Sequence, residues 1–434
     1  MKRWMLLVYA VVAMLLACQV VANAASEVRF FFWGTQARLE GFQSASEAFH
    51  RKYPELQVRI VPEMVSWGDY VQKLPVMTAA GEMPDVVLIA SGSAWDSIVA
   101  PQENPPLLDL APYMKRDNIN MDYFDTRNWP FLSRGEKIIG IPWDYVMGAG
   151  QTMGYNMKHF DEAGISYPDE KWTWDTDFIP VSRKLTQVAA DGQVTRYASN
   201  FVATFQGFWR QVLYTYGGRI FNAEMTECII NEPRAYAAFG MIRGLREQNL
   251  AVWTSTLEAM TKGRISMGFE WWPLQQTTLG QMTDPYGITL YPQGPAGHGI
   301  FRAPLTSPVH SLVVSRRTRY PEEAWMFVRF ITTEPESLQA WRGIKEMPRV
   351  SYRPLLAKWS ELLAPAEREH WLPVALLADE VAVDVDQPVD PDDHHATRID
   401  EVFVQELTAF YNGQNSIEAT LANAKRRIDA ILKE

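Results

Sequence analysis

The chain has 434 residues, a formal net charge of -10, 16 tryptophans and two cysteines. Its length exceeds the ~250–300 residues at which one hydrophobic core stops growing, so we predict two domains. The aromatic content of 12% excludes an intrinsically disordered chain, and the excess of 51 acidic over 41 basic side chains argues against nucleic acid as a partner.

The N-terminus has the features of a secretory signal peptide. Lys2 and Arg3 precede an apolar run over residues 6–16, and small residues follow at 22–25. The run is shorter than the ~20 apolar residues that a membrane span needs. We therefore predict a signal peptide over residues 1–24 and a mature protein in the periplasm or on the extracellular face of the cytoplasmic membrane. An alternative exit before Cys18 resembles a lipobox, in which Cys18 would carry a lipid anchor.

Strand and helix patterns alternate after this segment. The predicted strands cover residues 28–33, 56–61 and 85–90, and the predicted helices between them cover residues 39–53 and 70–80. This order indicates an α/β sandwich with a parallel sheet. Ligands of such sheets bind beyond the carboxyl ends of the strands, so residues 33–35 and 91–93 are expected at the mouth of a site.

Further strand and helix patterns follow in the rest of the chain. Further strands are predicted at 137–142 and 264–269, and further helices at 237–248, 258–263, 399–411, 417–432 and from Pro321 onward. Ser416 is the expected N-cap of the last helix. The acidic stretch 384–395, including His394 and His395, is expected to be a surface loop and not a metal site. Cys228 is expected to be a small buried residue.

Short motifs along the chain resemble those of the extracellular solute-binding proteins, family 1, of ABC sugar importers, a group that is maltose-binding-protein-like. The matching segments are FWG (32–34), MPDVV (83–87), GIP (140–142), GYN (154–156), FDEAG (160–164), TWD (173–175), KLT (184–186), YGG (216–218), KGRISM (262–267) and PEEAW (321–325). The match spans essentially the whole mature chain. It departs from the family at Arg264-Ile265, where small residues are usual.

The resemblance implies a two-lobed, type II periplasmic-binding-protein clamshell with a hinge of several crossovers. Each lobe is then an α/β sandwich, with residues 26–141 plus about 296–346 in lobe 1 and about 145–292 plus about 350–434 in lobe 2. The family binds its ligand between the lobes, closes around it and docks on the transmembrane subunits of an ABC permease. We accordingly expect a monomeric binding protein without cofactor, metal or catalytic activity.

The candidate ligand-binding residues follow from the chemistry of a sugar. Aromatic rings stack on its apolar faces, and charged or amide groups hydrogen-bond to its hydroxyls. The predicted aromatic residues are Trp33, Trp67, Trp143, Trp209, Trp271 and Trp272. The predicted polar residues are Gln36, Arg38, Ser91, Ser93, Asp96, Asp144, Glu270, Arg302, His310 and Arg349. By contrast, Trp174, Trp325 and Trp341 are expected to be structural.

Two other functions remain open from the sequence. A non-sugar solute such as glycerol phosphate or a polyamine is one, because Arg38, Arg302 and Arg349 leave room for an anionic ligand. A glycosidase that uses Asp144 and Glu270 is the other. The sequence contains no G-x-S-x-G, Walker, H-E-x-x-H or strand-borne G-x-G-x-x-G motif that would favour an enzyme.

Overall fold

The structure is a computed structural model. It describes residues 26–89, 98–99, 105–124, 129–144, 152–201, 206–222, 224, 226–252, 257–269, 279–297, 310–344, 346–347, 349–381 and 396–434. The predicted signal peptide with Cys18 and the loop 384–395 lie outside these residues. Among the described residues, no helix combines the length and apolar character that a membrane span requires.

Thirteen strands are described. They are β1 (Ser26–Trp33), β2 (Val58–Val65), β3 (Val86–Ile89), β4 (Ser133–Arg134), β5 (Lys137–Ile138), β6 (Ile141–Pro142), β7 (Thr152–Asn156), β8 (Gln187–Val188), β9 (Val194–Asn200), β10 (Ala251–Val252), β11 (Ile265–Phe269), β12 (Tyr286–Leu290) and β13 (Ser311–Val314).

The α-helices in the described part of the chain are α1 (Gln36–Lys52), α2 (Trp67–Ala80), α3 (Ala111–Arg116), α4 (Trp129–Leu132), α5 (Met157–Ala163), α6 (Ile179–Leu185), α7 (Gln206–Thr215), α8 (Pro233–Glu247), α9 (Leu257–Thr261), α10 (Pro321–Thr333), α11 (Pro335–Ala340), α12 (Leu356–Leu362), α13 (Pro365–Val381), α14 (Ala396–Tyr411) and α15 (Ile417–Ile431). Short 3₁₀ turns cover Met121–Tyr123 and Arg353–Leu355, and a π-helical turn covers Trp174–Phe178.

The first sheet has the order β2-β1-β3-β13-β6. Strands β2 and β3 both pair with β1 in parallel, as the sequence predicts. Strand β13 runs antiparallel to both β3 and β6, so β6 points the same way as β1. The ends of β1, β2, β3 and β6 and the beginning of β13 therefore meet at one edge, called here the carboxyl edge of the first sheet.

Local signals explain the helices that flank this sheet. The Thr35 hydroxyl accepts from the N–H of Arg38 at the start of α1, which buries Phe42, Ala45 and Phe49 against the sheet. Ser66 caps α2 in the same way, and Gly81 ends it with φ of +77°. The left-handed φ is the reason for glycine at this position, because a residue with a Cβ rarely adopts it.

The second sheet has the order β10-β9-β11-β7-β12, with β8 paired to the beginning of β9. Strands β9, β10 and β11 are parallel, whereas β7 runs antiparallel to β11 and β12. Phe269 at the end of β11 lies opposite Met153, and Leu290 at the end of β12 lies opposite Thr152. The ends of β11 and β12 thus share an edge with the beginning of β7, the first strand of the second sheet.

Each sheet has its own hydrophobic core, which divides the molecule into two lobes. The first core joins strands β1–β3 and β13 with α1 and α10. The second joins β7, β9 and β11 with α7, α8, α14 and α15. A smaller cluster between β12, β11 and α13 covers the rest of the second sheet. The two-lobed α/β fold that the family resemblance implies is confirmed.

The packing differs from the predicted lobe boundaries after residue 346. Four residues after this point belong to the first core, whereas the family resemblance implies that residues from about 350 onward lie in lobe 2. They are Val350, Leu355, Trp359 and Leu362. Helix α13, with Pro373 inside it, is the first later element that packs on the second lobe. Its pattern was not predicted, because an internal proline is normally a signal that a helix ends.

The strand predicted at 137–142 is also divided. Lys137 and Ile138 pair with β4, while Ile141 and Pro142 join the first sheet. Gly140 lies between them, so close to the Leu132 and Val313 side chains that a Cβ would approach each at 3.1 Å. The chain therefore changes sheets where a side chain would obstruct it.

Candidate functional site

The carboxyl edge of the first sheet collects several of the predicted site residues. Trp33 ends β1, and Trp67 begins α2 directly beyond β2. His310 precedes β13, and Asp144 lies two residues after the end of β6. These residues come from four separated segments, yet the strand directions bring all of them to the same edge.

Trp33, Trp67 and Tyr70 form an aromatic cluster at this edge. The ring centroids of Trp33 lie 5.3 Å from Trp67 and 4.9 Å from Tyr70, and Trp67 stacks on Tyr70 at 5.7 Å. Tyr70 is fully buried and donates its hydroxyl to the Leu88 carbonyl at 2.8 Å, which fixes the base of the cluster. Trp67 is 46% exposed, so the cluster presents an indole face to solvent.

His310 and Asp144 place polar groups beside the aromatic cluster. The His310 ring lies edge-on to Trp33 at 4.9 Å, and its Nδ1 is 2.8 Å from Asp144 Oδ2. A carboxylate accepts the proton of Nδ1, which leaves Nε2 of a neutral imidazole as an acceptor. Asp144 Oδ1 is buried without a hydrogen-bond partner among the described residues. Nε2 of a neutral His310 is therefore the acceptor that suits a hydroxyl donor, and Asp144 orients the ring that carries it.

The backbone holds this pair in place from both sides. The Trp143 N–H donates to the His310 carbonyl at 2.9 Å, and Asp144 forms an isolated antiparallel bridge with Val350. Arg349, a predicted ligand residue, is next to this bridge; it is buried and engaged within the protein. Three crossing segments thus converge at Asp144.

Arg38 supports the aromatic cluster from beneath. Its guanidinium carbon lies 5.7 Å from the Trp33 ring centroid and 6.0 Å from that of Trp143, and Nη1 donates to the Trp33 carbonyl at 3.3 Å. Its Nε is 3.7 Å from Oε2 of Glu346. Both partners are buried, with residue exposures of 7% and 4%. Arg38 therefore already contacts Glu346 and the two tryptophans within the protein.

The structure places three other predicted residues differently. Trp143 is buried against Phe42 and Trp341 in the first core. Trp209 is 1% exposed and packs on Phe239 and Phe403 in the second core, and a stacking role for Trp209 is not supported. Gln36 is exposed and donates to Glu40 on its own helix.

The other predicted ligand residues are outside the described part of the chain. They are Ser91, Ser93, Asp96, Glu270, Trp271, Trp272 and Arg302. The strand before three of them is described: β11 ends at Phe269, whose N–H donates to Asn200 Oδ1. Before residue 270, the described chain therefore ends at the edge of the second sheet at which β7 begins.

The residues expected to be structural are confirmed as such. Trp174 is fully buried and donates its indole N–H to Thr215, and Trp325 donates to Asp117. Trp341 packs on Phe42. Cys228 is buried, and desolvation raises the pKa of its thiol to about 12, which makes it a poor nucleophile.

Two contributors to the site were not predicted. Tyr70 is three residues after Trp67, a spacing that places two side chains on one helix face and is visible in the sequence. Glu346 meets Arg38 from the far end of the chain, and no local pattern indicates this contact.

A separate cavity of about 770 Å³ lies between the segment 341–347 and the second lobe. Trp341, Ile344 and Met347 line it from the first core, and Tyr286 and Trp371 from the cluster around β12. The aromatic cluster is not part of its lining. In the described part of the chain, no three His, Cys, Asp or Glu side chains are grouped as metal ligands.

Comparison with known proteins identifies the family to which the chain is similar. A family model described as bacterial extracellular solute-binding protein matches residues 33–337. A relative in Brucella abortus (strain 2308) is 22% identical over 402 residues, which cover 91% of this chain and 90% of the relative.

Two solved structures illustrate the structural likeness. An ABC substrate-binding protein from Listeria monocytogenes in complex with cycloalternan has a TM-score of 0.76 at 18% identity, covering 93% of this chain and 98% of its own. A periplasmic oligogalacturonide-binding protein from Yersinia enterocolitica, in complex with saturated digalacturonic acid, has a TM-score of 0.72 at 17% identity, covering 94% and 99%. At these identities the likeness establishes the fold.

Proposed function

The chain belongs to the bacterial extracellular solute-binding proteins, and we propose that it binds a carbohydrate, specifically an oligosaccharide, between its lobes for delivery to the transmembrane subunits of an ABC importer. One observation carries the proposal: the half-exposed Trp67, backed by Trp33 and Tyr70, stands beside the His310–Asp144 pair at the carboxyl edge. This combination of an apolar platform and an adjacent acceptor matches a sugar ring.

The physical argument treats the two parts of a sugar separately. The C–H face of a pyranose is apolar and packs on an indole without desolvating a charge. Its hydroxyls need hydrogen-bond partners, and an unsatisfied one would lower affinity. His310 Nε2 supplies an acceptor next to the platform, and the Asp144 carboxylate orients the His310 ring. Glu270, Trp271 and Trp272, which follow β11, are proposed to form the facing wall on lobe 2.

The similar structures support a saccharide as the ligand class. One was solved with cycloalternan and another with digalacturonic acid, which are both sugars. Because both neighbours have the fold of this chain, they favour a saccharide over the non-sugar alternatives.

We propose that binding involves no chemical turnover. Asp144, one of the two carboxylates that a glycosidase would need, is already hydrogen-bonded to His310. Incubation with oligosaccharides followed by chromatography tests this: turnover by the wild-type protein that disappears in Glu270→Gln would establish an enzyme instead.

Export is part of the proposal. The segment 1–24 is proposed as a signal peptide, with lipid attachment at Cys18 as the alternative processing, and the mature protein is proposed to act as a monomer outside the cytoplasmic membrane. Mass spectrometry of the protein from its host distinguishes the two N-termini.

The deciding experiment is a thermal-shift screen against mono-, di- and oligosaccharides, with glycerol phosphate and spermidine as non-sugar controls. A ligand that binds only the native state raises the melting temperature by mass action. We expect a shift with at least one oligosaccharide. A shift with glycerol phosphate or spermidine alone would refute carbohydrate binding.

A further inference from the structure

The Arg38–Glu346 pair is the charged pair beneath the aromatic cluster. Arg38 lies beneath the aromatic cluster, with its guanidinium carbon 5.7 Å from the centroid of Trp33. A lone cation at this position would attract an anionic ligand that stacks on the cluster. Glu346 removes that attraction, because its carboxylate lies 3.7 Å from Arg38 Nε and is itself buried.

The backbone of Glu346 indicates that this position is specified. Its φ is +73°, a left-handed conformation that a residue with a side chain adopts only when the surrounding structure holds it there. Gly343, three residues earlier, has a similar φ of +79° but can adopt it without strain. At 346 the chain keeps a carboxylate in a conformation that favours glycine, and this carboxylate faces Arg38.

The charges of the converging segments cancel. Arg38 and Arg349 are buried cations, and Asp144 and Glu346 are buried carboxylates. His310 adds no charge in its neutral form, in which Nδ1 donates to Asp144 and Nε2 carries no proton. A ligand placed against this wall therefore meets hydrogen-bonding groups without an excess of positive charge.

We propose that Glu346 is a specificity-determining residue that restricts the site to uncharged saccharides and excludes acidic ones such as uronates. This inference rests on the proposed function, that is, on carbohydrate binding at the same edge. A carboxylated sugar at the cluster would lose its hydration and find Arg38 already neutralised, with the Asp144 and Glu346 carboxylates nearby. A neutral sugar pays neither penalty.

Glu346→Gln tests the inference, with digalacturonate and neutral oligosaccharides as probes. Digalacturonate is expected to bind the variant about tenfold or more tightly than it binds the wild type, because Arg38 is uncovered. Arg38→Met/Glu346→Gln is expected to abolish this gain. Glu63→Gln is the matched control: it removes a carboxylate from the Arg29–Glu63 pair, roughly 13 Å along β1 from Trp33, and should leave both affinities unchanged.

The outcomes separate the two hypotheses. If no saccharide binds the wild-type protein, the proposed function fails. If neutral oligosaccharides bind but a folded Glu346→Gln variant gains no affinity for digalacturonate, the role of Glu346 is refuted. The wild type provides a second measurement that does not depend on the variant folding: digalacturonate binding as tight as that of the best neutral oligosaccharide would also overturn the inference.

Discussion

Trp67 contributes little to the folded core, because almost half of its surface is exposed although it stacks on Tyr70. Trp67→Ala should therefore leave the melting temperature nearly unchanged. It should weaken binding of the oligosaccharide found by the screen by more than tenfold, since a loss of ~1.4 kcal/mol is enough for that. Isothermal titration calorimetry measures the affinity.

Trp209→Phe is the matched control for this prediction. Trp209 is buried between Phe239 and Phe403, so the smaller ring should lower stability and leave the affinity unchanged. A Trp67→Ala variant with wild-type affinity would remove the aromatic cluster from the ligand site.

His159 makes stability depend on pH at a position far from this cluster. Burial, reinforced by Arg196, lowers the pKa of His159 to about 4, and its Nδ1 lies 3.0 Å from Ser266 Oγ. The unfolded chain binds this proton near pH 6.5. The contribution of neutral His159 to the free energy of unfolding is therefore fully present above pH 6.5. It decreases as the pH falls toward 4, by on the order of 3 kcal/mol.

Melting temperatures between pH 7 and pH 4.5 test this assignment. His159→Gln keeps a hydrogen-bonding group toward Ser266 but does not titrate, so the difference in melting temperature between wild type and variant should shrink as the pH falls. A constant difference across this interval would show that His159 does not titrate as described.

Helix ends illustrate how local chemistry sets the elements. Ser416 accepts from the Ala419 N–H at the start of α15, as its position before the helical pattern predicts. Ser416→Ala should lower the free energy of unfolding of the second lobe by about 1 kcal/mol, whereas Ser416→Asp should retain it. Chemical denaturation measures both variants, and equal losses would show that the cap is not the cause.

Helices whose ends are marked by proline or glycine were predictable from the sequence. The lobe on which a distant segment packs was not. The structure confirms three helix boundaries that such residues mark. Tyr53, the residue before Pro54, follows the end of α1, Gly81 follows the end of α2, and Pro321 begins α10. The segment 350–363 carries no comparable signal for the lobe on which it packs. Its place in the first core follows from the Asp144–Val350 bridge, a contact between segments far apart in the chain.

The same distinction applies to the candidate site. Trp33 was correctly expected at the carboxyl edge of the first sheet. It is the last residue of a predicted parallel strand, and parallel strands all end at the same edge. Trp143 was suggested by its position directly after the GIP motif and Trp209 by its residue type, and both are buried in cores. Glu346 was missed because only the folded chain brings it to Arg38.

At the scale of the whole molecule, the two sheets are joined by separated crossings of the chain. One lies between β6 and β7, one between β12 and β13, and one between α12 in the first core and α13 beside β12. Each lobe has a core of its own, so movement about these crossings need not disturb the packing within a lobe.

Ligand binding should therefore bring the lobes together. An oligosaccharide that contacts Trp67 on one lobe and the residues after β11 on the other gains its full contact area only when the lobes approach, so the ligand favours the closed state by that difference in affinity. Small-angle scattering should show a smaller radius of gyration at saturation. A sugar that gives no thermal shift should leave the radius unchanged, and Trp67→Ala should need more ligand for the same decrease. A radius that stays constant while calorimetry shows saturation would mean that the site is complete on one lobe.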